Sequence, residues 1–136
     1  MKALLLDAEW RPRGTYRFSA QELATKSSYN MNQAFWNPTP RMIDIPVPSP
    51  EADEILVKVR ATGVCGSDVH MCQKDAAGYT AYPGHGKLPT VLGHEWSGKI
   101  VEVGRNVRGL EVGDLVAVEE MQWCGECTAC RSGLFD

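Results

Sequence analysis

Residues 63–70 read GVCGSDVH and join a cysteine to a short polar segment that we expect to begin a helix. Ser67 is suited to be the N-cap of that helix, and Asp68 lies where the positive end of a helix favours a carboxylate. A thiol near a helix start has a lowered pKa. The stretch therefore predicts that Cys65 is a thiolate able to bind a metal.

An imidazole and a carboxylate follow further along the chain, where His94 and Glu95 are adjacent. Together with Cys65 they offer sulfur, nitrogen and oxygen donors, a set that zinc accepts. Each residue alone also has an ordinary interpretation. Cys65 would then be a small buried thiol and His94 a hydrogen-bonded core histidine.

The composition is that of one soluble globular domain of 136 residues. A net charge of −3 gives no basic excess, so we expect no nucleic-acid partner. No apolar run approaches the roughly 20 residues of a membrane helix, and the N-terminal residues do not form a signal peptide. We therefore expect no membrane partner.

Five cysteines, three of them within residues 124–130, favour metal binding over a disulfide framework. Without a secretory signal, this usage predicts a reducing compartment, the cytoplasm.

Hydrophobic alternation and glycine turns predict a mainly β chain with short helices, arranged as a compact β-barrel. A capping box at Ser19 and Glu22 predicts a helix over residues 20–26. The prolines and glycines within 30–40 and 75–89 predict loops. The predicted strands cover residues 2–6, 41–45, 54–60, 96–103 and 115–118.

The order of four motifs resembles that of the zinc-dependent medium-chain alcohol and polyol dehydrogenases. They are GVCGSDVH at 63–70, GHEWSG at 93–98, GDLV at 113–116 and CGECTAC at 124–130. Each motif alone is weak, whereas the four in this order are specific.

The resemblance implies that residues 1–136 form a GroES-like catalytic domain, the N-terminal part of a longer enzyme. Residues 15–40 look like an insertion, and residues 119–136 look like a truncated zinc-binding lobe. A nucleotide-binding Rossmann domain is expected to follow.

By the same resemblance, Cys65 and His94 are ligands of a catalytic zinc. Glu95 matches the adjacent carboxylate, which in family members binds zinc transiently or stands behind the metal. Asp68 matches the acid that orients His94 by accepting its other ring N–H.

Ser67 and His70 match the hydroxyl and imidazole of the family's proton relay. The pKa of an ordinary histidine, about 6.5, suits the transfer of a proton to solvent. Two simpler interpretations stay open. Ser67 can be an N-cap only, and His70 can be a surface histidine at the end of a short helix.

The family's structural zinc is implied at Cys124, Cys127 and Cys130, whose two overlapping C-x-x-C steps can bind one face of a tetrahedral ion. The fourth cysteine of the family would fall about two residues beyond Asp136. A redox role for the C-x-x-C pairs lacks the βαβ setting of thioredoxin-like proteins.

Residues 119–125, EEMQWCG, resemble the scyllo-inosose-type cyclitol dehydrogenases when taken with the loop at 78–84. The acids Glu119 and Glu120 and the tyrosines Tyr79 and Tyr82 are the predicted substrate-binding residues, because they can bind several hydroxyl groups. Equally, the tyrosines can pack the loop and the glutamates can be a solvated strand end.

These observations predict an enzyme that oxidises a secondary alcohol of a sugar, polyol or cyclitol, with zinc and with NAD or NADP. The whole protein is expected to be a homo-oligomer. The cofactor-binding residues are unknown, because no G-x-G-x-x-G opens a helix in this chain. We therefore expect the 136-residue chain alone to be inactive.

Two alternatives belong to other functional classes. One is a zinc-binding interaction module that keeps the three clustered cysteines. The other is a zinc hydrolase in which Glu95 is the general base on a zinc-bound water.

Overall fold

The computed structural model describes residues 1–121 and 124–134. In this part of the chain, short strands outnumber the three short α-helices, which confirms the mainly β prediction. The strands are β1 (Lys2–Trp10), β2 (Ser27–Ser28), β3 (Phe35–Asp44), β4 (Ile55–Thr62), β5 (Gly86–Lys87), β6 (Thr90–Val91), β7 (Trp96–Val103) and β8 (Leu115–Ala117). The helices are α1 (Ala20–Thr25), α2 (Gly66–Cys72) and α3 (Thr128–Arg131).

The chain forms two compact units, and it passes between them three times. The first unit comprises Met1–Ser49 and Val64–Gly93, and the second comprises Pro50–Gly63 and His94–Asp136. No helix among the described residues is long and apolar enough to cross a membrane. All five cysteines are described, and none of them forms a disulfide.

The first unit contains an antiparallel sheet in the order β3-β1-β6, with β2 and β5 paired beside it. The strand predicted at 2–6 extends to Trp10, past a register shift at which Asp7 pairs with Thr39 and Glu9 with Trp36, so the extra residue of the bulge lies on β3. The bulge lets the longer strand stay paired with β3 after the register changes.

The prediction of a loop over residues 30–40 was wrong for residues 35–40, whereas the strand predicted at 41–45 is confirmed as far as Asp44. Residues 35–44 form β3, preceded by a single 3₁₀ turn at Met31–Gln33. Pro38 and Pro40 lie inside this strand. They are tolerated because β3 is at the edge of its sheet, where a strand can lack N–H donors on its outer side.

The core of the first unit draws heavily on the segment that was predicted to be an insertion. Five buried apolar residues pack together, and three of them lie within residues 15–40. The five are Leu6, Met31, Ala34, Phe35 and Leu88. The segment is therefore part of the hydrophobic core of the unit.

Helix α1 has the predicted capping box. The Glu22 N–H donates to Ser19 Oγ at 3.2 Å, and the Glu22 carboxylate accepts from the Ser19 N–H at 2.8 Å. Glu22 is buried and also accepts from the Tyr29 N–H at 3.0 Å. Hydrogen bonds from the Ser19 and Tyr29 backbone hold the pKa of Glu22 below its ordinary value. Lys26, in the left-handed conformation, ends the helix.

The second unit contains the antiparallel sheet β4-β7-β8, with β7 in the centre. The prediction of a strand at 96–103 is confirmed, and β8 ends one residue earlier than predicted. Gly98 is buried at the centre, where it pairs with Val59 on one side and Val116 on the other. A Cβ there would lie 2.6 Å from the Lys58 carbonyl oxygen, so the backbones pack without room for a side chain.

Candidate functional site

The three clustered cysteines bring their sulfur atoms together. The Sγ atoms of Cys124, Cys127 and Cys130 all lie within 4.8 Å of one another. The Sγ of Cys130 is 3.4 Å from that of Cys127 and 3.8 Å from that of Cys124. Cys127 is the N-cap of α3 and Cys130 lies one helical turn later, so the short helix presents two of the three thiols. This is a donor set for a soft or borderline metal ion.

The local backbone favours the thiolate form of Cys124. Hydrogen bonds from the Glu126 and Cys127 backbone lower the pKa of Cys124 to about 7. The Cys127 N–H lies 3.3 Å from Cys124 Sγ. Gly125 has a φ of 73°, a left-handed conformation that lets the chain turn around the sulfur. Metal binding to this thiol thus releases fewer protons at neutral pH than binding to an ordinary cysteine would.

A cavity of about 470 Å³ lies in the second unit, between the start of β7 and the end of β8. Its lining includes His94, Glu95, Glu119 and Glu120. His94 Nε2 is 3.5 Å from Glu120 Oε2. Carboxylates accept hydrogen bonds from hydroxyl groups and are common ligands of cations.

The His94–Glu120 contact was not predicted from the sequence. It depends on the antiparallel pairing of β7 with β8, in which Ser97 lies opposite Ala117 and brings the residues before β7 near those after β8. No local pattern in either segment signals that pairing.

Cys65 belongs to the first unit, where it is the N-cap of α2. The expectation that Ser67 caps this helix was wrong, because the helix begins two residues earlier than a cap at Ser67 requires. The Asp68 carboxylate accepts from the Cys65 N–H at 3.1 Å and from the Gly93 N–H at 3.4 Å. Asp68 is 7% exposed. It therefore holds the backbone at Cys65 and at the residue before His94.

The two predicted relay residues lie on α2. Ser67 is half-buried in the first turn, whereas His70 is exposed near the end of the helix. The His70 carbonyl accepts a hydrogen bond from Thr80 Oγ1 at 3.3 Å, which ties the helix to the following loop. The proton relay itself stays a prediction.

The two predicted substrate tyrosines lie in the first unit. The Arg13 guanidinium lies over the ring of Tyr79, 3.9 Å from its centroid, and Arg13 also pairs with Asp75. Tyr82 packs partly against the core of the unit. Both rings therefore have packing roles, and their binding of substrate stays a prediction. Gln122 and Trp123 of the EEMQWCG motif lie outside the described residues.

The sequence of the chain is similar to those of known proteins. The chain is 40% identical to scyllo-inosose 3-dehydrogenase of Thermotoga maritima over 98% of its own length and 35% of that protein. The chain thus spans about a third of the length of this relative.

Two solved structures are similar to the chain. A Thermotoga maritima structure described as an alcohol dehydrogenase has a TM-score of 0.89 at 38% identity, covering 96% of this chain and 35% of its own. A Clostridium scindens structure described as a zinc-binding dehydrogenase has a TM-score of 0.62 at 25% identity, covering 99% and 33%.

The alcohol dehydrogenase GroES-like domain family matches residues 51–136, which is more than half of the chain. The relatives of the chain described above are named as dehydrogenases, in agreement with the resemblance of the four motifs to those of alcohol and polyol dehydrogenases. The chain belongs to the alcohol dehydrogenase GroES-like domain family.

Proposed function

We propose that the whole protein is a zinc-dependent dehydrogenase that oxidises a secondary alcohol of a sugar, polyol or cyclitol, with NAD or NADP as hydride acceptor. The observation that carries this proposal is the family match together with a cavity in the same unit that contains His94 and Glu95. In this reading, residues 1–136 are the GroES-like catalytic domain of that enzyme.

Cys65, His94 and Glu95 would hold the catalytic zinc. The fit rests on donor chemistry, since a thiolate, an imidazole and a carboxylate form a set that zinc accepts. Cys65 lies in the first unit and the other two residues lie in the second. Asp68 supports the set because it holds the backbone at Cys65 and at Gly93. When bound, zinc lowers the pKa of a hydroxyl group toward neutrality.

Cys124, Cys127 and Cys130 would hold a second, structural zinc. The fit rests on the mutual distances of the three sulfur atoms and on the lowered pKa of Cys124. A metal held by several residues of one segment would stabilise that segment, because the ion binds the folded arrangement of thiolates more tightly than the unfolded chain.

The proton and the hydride leave the substrate by separate routes. Ser67 would accept the hydroxyl proton of the alcohol, and His70, exposed on the same helix, would pass it to solvent. The nicotinamide supplies the hydride acceptor when it is bound beside the substrate carbon. The residues of this chain that contact the nicotinamide are not identified.

Glu119 and Glu120 are the best-supported substrate contacts. Both line the same cavity as His94, and each can accept hydrogen bonds from substrate hydroxyl groups. The name of the Thermotoga maritima relative, a scyllo-inosose dehydrogenase, favours a cyclic polyol. Tyr79 and Tyr82, in the loop at 78–84, remain further candidates for substrate binding.

The test compares alcohol-dependent NAD(P)H formation by the whole protein and by the 136-residue chain, across a panel of polyols, cyclitols and simple alcohols. We expect turnover only by the whole protein, and loss of turnover after zinc is removed. Turnover by the short chain would refute the assignment of cofactor binding to the rest of the protein.

His94→Ala should lower kcat/KM at least about a hundredfold, because it removes a proposed metal ligand. His85→Ala is the matched control. This exposed histidine contacts Ser27 Oγ at 3.0 Å in the first unit and has no proposed role in the reaction. Equal activity of the two variants would contradict the role of His94. Zinc-dependent hydrolysis without nucleotide would instead indicate the hydrolase alternative.

A further inference from the structure

Gly63 and Glu95 face each other just beyond the paired ends of β4 and β7. The strands pair as far as Thr62 and Trp96, and the Gly63 N–H then donates to the Glu95 carbonyl oxygen at 2.6 Å. Both residues belong to the second unit, and both line its cavity. The hydrogen bond fixes the separation of the two backbones at this point.

The side chain of Glu95 lies against the backbone of Gly63. A Cβ added at position 63 would come within 3.1 Å of Glu95 Cβ and would overlap with the carboxylate oxygen Oε2. Ordinary contacts between carbon atoms are about 3.5–4.0 Å. The space beside Gly63 is therefore occupied by the Glu95 side chain.

Backbone conformation does not explain the glycine. Gly63 is not among the glycines with positive φ, so an alanine can adopt its backbone geometry. What the position lacks is room for a side chain, and the atoms that fill that room belong to Glu95.

We infer that Gly63 is a positioning residue: by lacking a Cβ it lets the Glu95 carboxylate lie over its backbone, beside His94 in the cavity. The inference rests on the proposed function, in which Glu95 serves the catalytic zinc. Because the Glu95 backbone is held by a hydrogen bond, a side chain at position 63 must turn the carboxylate away. The carboxylate then reaches a different place relative to His94.

The experiment uses four variants of the whole protein: Gly63→Ala, Glu95→Ala, the double variant, and Gly14→Ala as a matched control. Gly14 has no heavy atom within 4 Å of an added Cβ and no positive φ. Crystal structures of the metal-free proteins report the position of the Glu95 carboxylate, and kcat/KM reports the consequence for turnover.

In Gly63→Ala we expect the carboxylate to move by about 1 Å or more and kcat/KM to fall roughly ten- to a hundredfold, as for other misplaced groups. In the Glu95→Ala background the same substitution should change kcat/KM by less than about twofold, since the displaced group is absent. Gly14→Ala should leave both measurements unchanged.

An unmoved carboxylate in Gly63→Ala would overturn the inference, as would equal losses of kcat/KM in the two backgrounds. If Gly63→Ala does not fold, the double variant should fold, and its failure would show that the obstruction is not the Glu95 carboxylate. If the unsubstituted protein shows no dehydrogenase activity, the proposed function fails, while the crystal structures still decide the role of Gly63.

Discussion

Alkylation of the metal-free protein with iodoacetamide tests whether the backbone around Cys124 favours its thiolate. The pKa of Cys124 is lowered from 9.0 to about 7, with the largest contribution from the Glu126 backbone hydrogen bond. At pH 7 about half of this thiol is ionised, compared with about one in a hundred for an ordinary cysteine. The thiolate population is therefore about fiftyfold larger.

The alkylation rate of Cys124 increases less than its thiolate population does, because a thiolate of lower pKa is a weaker nucleophile. With a Brønsted coefficient of about 0.4–0.5, the lowered pKa reduces the intrinsic reactivity about six- to tenfold. The two effects together predict that Cys124 reacts about five- to eightfold faster than an ordinary exposed thiol at pH 7.

Mass spectrometry of the labelled peptides gives the rate at each cysteine as a function of pH. We expect the Cys124 rate to rise with a midpoint near pH 7. Cys72 is the internal comparison, since burial raises its pKa and should make it slower than an ordinary thiol. A Cys124 rate that rises only near pH 9, or that equals the Cys72 rate at pH 7, would refute the reasoning.

Two further predictions concern stability. Gly98→Ala should lower the free energy of unfolding by about 1–3 kcal/mol, because its Cβ would lie 2.6 Å from the Lys58 carbonyl oxygen. The control Gly14→Ala should change it by less than about 0.5 kcal/mol, and urea unfolding measures both variants. Hydrogen bonds from Ser19 and other groups lower the pKa of Glu22 in the folded state. The ionised carboxylate therefore stabilises the fold at pH values above its ordinary pKa of 4.5, and this stabilisation is lost as the pH falls. In Glu22→Gln the free energy of unfolding should therefore fall less steeply as the pH is lowered below about 4.5. An unchanged pH dependence would contradict this role of the Glu22 carboxylate.

The sequence predicted those elements whose signals are local. The alternation in residues 54–60 predicted a strand that the structure has as β4, and Ser19 with Glu22 predicted the start of α1. The strand predicted at 41–45 is the second half of β3. The first half was missed because Pro38 and Pro40 normally exclude a central strand, and its edge position depends on which strands pair.

In the candidate site, too, only the features with a local sequence signal were predicted. The three clustered cysteines are close in sequence, and their sulfur atoms are close in the structure. By contrast, the cavity that holds His94 with Glu119 and Glu120, and the fit of Glu95 against Gly63, follow from strand register. Register is set by long-range packing of whole strands, which a single sequence does not display.

The two prolines of β3 also bear on how the protein behaves at high concentration. An edge strand with free N–H groups is a template on which another molecule can add a strand, the first step of sheet growth into aggregates. Proline has no N–H to donate, so Pro38 and Pro40 remove donors along this border. The prolines that concealed the first half of β3 from sequence analysis thus make this edge a poor starting point for intermolecular association.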